Sequence, residues 1–158
     1  MALIGEIERK SNVSFHPADS AALEQLRLLG TPNDALSFFQ EHEPADIAEI
    51  NKVRLLPIEG ILIENRDFVP GADIHPLGYV VFATTVYGDA FCFATLGKGN
   101  VQTAPIVLVA HDLEWDEAAM SEKLPELAKP IADSFHGFLE AWAAETLDIE
   151  PLYPELML

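Results

Sequence analysis

Residues 78–95 read GYVVFATTVYGDAFCFAT, an apolar run rich in β-branched and aromatic side chains, broken only by threonines and one Gly-Asp pair. That composition suits a pleated sheet, and the break predicts a β-hairpin reversing at Tyr87-Gly88-Asp89, where glycine is free to take positive φ. Alternation along the first arm puts Tyr79, Val81 and Ala83 on one face and Val80 and Phe82 on the other. Both sets are apolar, so this strand is expected at the centre of a sheet covered on both sides. Phe91 and Phe93 then line one face of the returning arm.

Working outward, Pro105 introduces a strand at 106–110, IVLVA, and another is read at Val53 to Leu56, giving three or four adjacent antiparallel strands. Pro57-Ile58-Glu59-Gly60 opens either a helical turn or a second strand through Ile63, a choice that periodicity over so few residues leaves open. Asp67 to Pro76 reads as a surface loop and Leu96 to Thr103 as another turn-forming stretch. Before the sheet, Asp19 and Ser20 offer caps for a helix facing the core with Ala22, Leu23, Leu26 and Leu29 and ending at Gly30. Thr31 caps the next helix, with Pro32 at its first position and Leu36 and Phe39 turned inward. The closing helix is expected from Pro130 to Glu145, with Ile131, Phe135, Phe138, Leu139 and Trp142 on one stripe. Residues up to about Pro17 read as an irregular or short extended arm, and the acidic tail TLDIEPLYPELML as either disordered or docked on its own domain.

At 158 residues the chain suits one domain, its core between about 20 and 145, and needs no disulfide or metal to fold. Its 26 acidic and 9 basic side chains leave a formal charge of −17. That balance repels nucleic-acid phosphates and anionic lipid headgroups alike, so neither nucleic acid nor membrane is expected as a partner. It serves either plain solubility or a basic protein partner. No secretion signal or long apolar run is read, and a cytoplasmic protein is expected.

Chemistry is harder to find. His16, His42, His75, His111 and His136 form no HxH, HxxxH or HExxH unit, so no metal site is assigned, and no cofactor motif or nucleophile elbow is present. The single cysteine, Cys92, lies between Phe91 and Phe93, where burial raises a thiol pKa and makes it inert. His111-Asp112 reads as a strand-ending turn or as a pair orienting a base, and Asp89 as a turn aspartate or a hairpin-tip carboxylate. Those three residues are the candidates for a small hydrolase.

The order of segments resembles the SUKH superfamily, in its Smi/Knr-like branch. LGTPNDALSFFQEHEP is similar to the opening helix pair of that family, VRLLPIEGILIEN to its short strand and turn, YGDAFCFAT to its Gly-Asp hairpin, PIVLVAHD to the next strand and SFHGFLEAW to the closing helix. The chain departs from the pattern at Glu41-His42-Glu43-Pro44, where many relatives have an Asn-Gly turn, and at Ala94, where many have an aspartate. The resemblance implies an α+β domain, an antiparallel sheet with flanking helices, without catalytic residues or cofactor. For bacterial members it implies an immunity protein that neutralises a toxin, often a nuclease; fungal relatives suggest instead a regulatory or scaffold module binding a host protein.

The expected binding surface is the acidic segment from His111 to Glu126 together with the hairpin end near Asp89. Asp112, Glu114, Asp116 and Glu117 flank Trp115, an aromatic anchor ringed by charge. The alternative is a solvated acidic loop whose Trp115 tucks into its own core.

Overall fold

The computed structural model describes residues 2–111 and 117–150. Its strands and helices form an α+β fold around a six-stranded sheet in which every neighbouring pair is antiparallel. The strands run in sequence order across it: β3 (Ala48–Ile50), β4 (Val53–Leu55), β5 (Tyr79–Thr85), β6 (Ala90–Ala94), β7 (Ile106–Val109) and β8 (Lys129–Ala132). The hairpin read from residues 78–95 is β5 and β6, and it occupies the two central places. A separate short ladder pairs β1 (Phe15–His16) with β2 (Glu43–Pro44).

Because both faces of the central strands are apolar, both are covered. One carries the main core, to which α1 (Ala2–Ser11), α2 (Ser20–Leu28), α3 (Asn33–Glu41), α4 (Ile58–Arg66) and α7 (Phe135–Ala143) contribute. The other packs Tyr79, Val81, Cys92, Val107 and Val109 beneath Ile74 of α5 (Gly71–Ile74) and Leu124 of α6 (Glu117–Leu127). A bulge in β5 interrupts strict alternation: Val81 lies opposite Cys92 and Ala83 opposite Phe91, so Phe82 is the extra residue. Ala83 therefore joins Val80 and Phe82 on the main-core face, rather than sharing a face with Tyr79 and Val81 as alternation had it. The bulge sets Phe82 against Phe93, stacked at 4.3 Å, with Phe138 edge-on to Phe82 at 4.9 Å. Phe82, Phe93, Phe135, Phe138 and Trp142 are all buried, as expected from their patterning.

Several elements depart from the sequence expectation, each for a local reason. The N-terminal arm is a helix, α1, whose Ile7 is fully buried and whose Lys10 Nζ donates to the Ala143 carbonyl at 2.6 Å at the end of α7. Thr31 does not cap α3; Pro32 occupies the cap position and Thr31 Oγ1 is buried without a hydrogen-bond partner among the described residues. Pro130 opens no helix: it sits in the edge strand β8, where a missing N–H costs little, and α7 starts after Ser134, whose hydroxyl accepts from the Gly137 amide at 3.1 Å. Part of the acidic stretch read as a loop is α6, and the choice at Pro57 resolves as α4. Asp19 caps α2 as read, accepting from the Ala22 amide at 3.2 Å.

The segment Asp67 to Pro76 is more ordered than a surface loop. It holds α5 and a 3-10 turn at His75–Leu77, and Ile74 is fully buried. Two features of α4 fix it. A side chain at Gly71 would meet the Glu64 carbonyl at 2.1 Å, so only glycine lets α5 approach α4 this closely. Asn65, buried in the same turn of α4, docks on β5: its amide nitrogen donates to the Val81 carbonyl at 2.8 Å, and its oxygen accepts from the Val81 amide at 2.9 Å. The side chain thus supplies the pairing that a neighbouring strand would give.

No helix among the described residues is long and apolar enough to cross a membrane.

Candidate functional site

The β5–β6 turn is built by Thr85. Its hydroxyl accepts from the amides of Tyr87 and Asp89 at 3.2 and 3.3 Å, and Gly88 closes the reversal at φ +94°. With those amides satisfied, the Asp89 carboxylate is released from turn duty and points inward. It is 2 % exposed, which corrects its assignment to the rim of a binding surface: a buried carboxylate presents no charge for a partner to touch.

Instead Asp89 holds His111, the residue that follows β7 by two positions. Asp89 Oδ1 accepts from the His111 backbone amide at 3.2 Å and lies 2.8 Å from its ring Nδ1. A carboxylate accepts, so the hydrogen bond between them takes its proton from Nδ1. The ring lies against Gly88, where a Cβ would sit 3.4 Å from His111 Cγ. Its side chain is 37 % exposed. Asp89 Oδ2 is buried and has no hydrogen-bond partner among the described residues. The contact is one in which a carboxylate orients an imidazole.

Cys92 points into the second core and burial pushes its thiol pKa far up, so it supplies no thiolate. No three His, Cys, Asp or Glu side chains among the described residues gather as metal ligands. A groove of about 520 Å³ lies at one end of strands β5 to β8, but its lining, including Tyr79, Leu96, Ile106, Ala128 and Ile131, is chiefly apolar and does not include the pair.

Of the other expected site residues, Asp112, Glu114, Trp115 and Asp116 lie outside the described residues, and Glu117 is the first residue of α6. No family model matches this chain, and no curated protein matches it.

The surface charge is easier to place. Lys10 pairs with Glu145 at 3.1 Å and Glu6 at 3.3 Å, Arg54 with Glu49 at 2.8 Å and Lys129 with Asp148 at 2.6 Å, while Arg27 donates to Glu24 at 2.8 Å. The hydrogen bond from Arg27 holds the Glu24 carboxyl below the usual range, and that from Lys129 does the same for Asp148. Among the described residues, four of the 9 basic side chains are thus matched locally, against 26 acidic side chains in the chain. Sequence reasoning missed the exposed apolar residues Phe68 and Val69, 55 % and 64 % accessible, in the stretch read as an ordinary loop. Two large apolar residues beside Pro70-Gly71, with an aspartate just before them, were the available signal.

Proposed function

We propose that this protein is a non-enzymatic protein-binding domain acting as an immunity protein, which neutralises a basic toxin, of nuclease type, by covering its nucleic-acid-binding cleft. The observation that carries the reading is the charge of −17, borne by a surface whose described ion pairs already engage four of its few cations. Negative charge of this size speeds encounter with a basic cleft and disfavours nucleic acid as an alternative partner. The α+β layout is of the class that the SUKH resemblance implies, which adds support. The test is co-expression with the product of the neighbouring open reading frame: growth arrest by that product alone, rescue on co-expression and a co-purifying complex are expected. A harmless neighbour, or no rescue and no complex, rejects the reading for that pair. Recovery of a host regulatory protein from native lysate, reproduced with purified components, would favour the scaffold reading.

A second reading rests on the Asp89–His111 contact of 2.8 Å, which suits a small hydrolase. It predicts hydrolysis of an ester or phosphodiester that is lost in both Asp89→Asn and His111→Ala. Activity unchanged in both variants, or absent from the wild type across such a panel, rejects it.

A further inference from the structure

We propose that the turn joining α4 to α5 is a docking knob, in which Phe68 and Val69 insert into an apolar cleft on a basic protein partner. The proposal rests on the protein-binding reading above and names the surface that would serve it.

Large apolar side chains scattered singly over a surface need no explanation, but here they adjoin. Phe68 and Val69 are consecutive, and Ile63, 37 % exposed, lies on the exposed side of α4 just before them. Their support is rigid. Gly71 packs on the Glu64 carbonyl, Asn65 fastens the end of α4 to Val81 at the sheet centre, and Ile74 anchors the far side in the second core. Within the turn, the Phe68 carbonyl accepts from the Ala72 amide at 2.8 Å and the Pro70 carbonyl from the Asp73 amide at 3.0 Å. A backbone fixed on both sides presents the two side chains with little ordering left to do on binding.

Charge names the partner. Glu59 and Ile63 of α4 and its C-cap Asp67 follow one another at four-residue steps, so two carboxylates bracket the isoleucine, and Asp73 stands exposed beyond the knob. Arg66 is the one cation between Glu59 and Asp73, and it donates to Gln25 of α2 at 3.3 Å. An apolar centre with an acidic rim fits an apolar cleft with a basic rim. A second copy of this chain would set carboxylates against carboxylates.

The test uses the full chain and, as probe, the purified product of the neighbouring open reading frame, with binding followed by surface plasmon resonance. Phe68→Ser with Val69→Ser should raise Kd about 100-fold with thermal melting unchanged, since both side chains are already exposed. Glu59→Lys, Asp67→Lys and Asp73→Lys together should slow association about 10-fold at low salt, whereas Glu140→Lys on α7 should change it far less. Hydrogen exchange should show new protection over residues 63–74 in the complex. Wild-type affinity in the Phe68/Val69 variant overturns the knob and leaves the binding reading standing. No binding by the wild-type chain defeats both for this probe. A dimer of the free protein that the double substitution dissolves would assign the surface to a second copy and also overturn the proposal.

Discussion

At the residue scale, the side chains that matter most are polar groups placed where the backbone needs them. Asn65 satisfies both the N–H and the C=O of Val81 and also donates to the Ile61 carbonyl at 2.8 Å. Asn65→Ala leaves two buried backbone groups unpaired, and a loss of about 2 to 4 kcal/mol is expected in urea melts. Glu64, one residue earlier, is half-buried, and that burial holds its carboxyl above the usual glutamate range. A folded pKa raised above the unfolded one means that the unfolded chain releases its proton first as pH rises, so this group costs stability on the way up. Glu64→Gln should therefore stabilise the protein at pH 7, with the gain shrinking as pH falls through the carboxylate range; urea melts at both ends check the sign. A stabilisation that grows toward low pH would contradict it. Asp89 and His111 were individually visible in the sequence, but their meeting was not, because it depends on the pairing of β6 with β7 and on Thr85 taking over the turn amides. Asn65 gave no signal at all: an asparagine near a helix end reads as a solvent-facing residue unless the strand beside it is known.

At the element scale, what was legible was whatever carried its own pattern. The hairpin announced itself by β-branched and aromatic composition with a Gly-Asp break, α2 by its Asp19 cap, and α7 by the stripe Phe135, Phe138, Leu139 and Trp142. Elements held together by tertiary contacts were not legible. Helix α1 is too short to hold on its own pattern and owes its place to buried Ile7 and the Lys10–Ala143 contact; β8 contains a proline tolerated because the strand is an edge. Packing gives two predictions here. Trp142 is 1 % exposed and its indole N–H donates to the Val53 carbonyl at 3.1 Å, tying α7 to β4. Trp142→Ala should cost about 3 to 5 kcal/mol, and a loss below about 1 kcal/mol in urea melts would contradict that packing. Gly71→Ala puts a methyl 2.1 Å from a backbone carbonyl that cannot rotate away, so α5 must separate from α4. Its melting temperature should fall, and hydrogen exchange should rise over residues 67–77 before the sheet opens.

At the scale of the whole molecule, a sheet covered on both faces carries a surface with far more negative charge than its cations balance. Charge so distributed contributes little to the fold and much to the choice and speed of encounter. Under the proposed function, that charge serves the binding of a basic protein. The measurement that bears on it most directly is the association rate constant with the purified product of the neighbouring open reading frame, taken at about 50 and about 300 mM salt. A stable complex is expected, with association slowing about 10-fold or more across that range while dissociation changes little. Absence of a complex, or an association rate indifferent to salt, would contradict it.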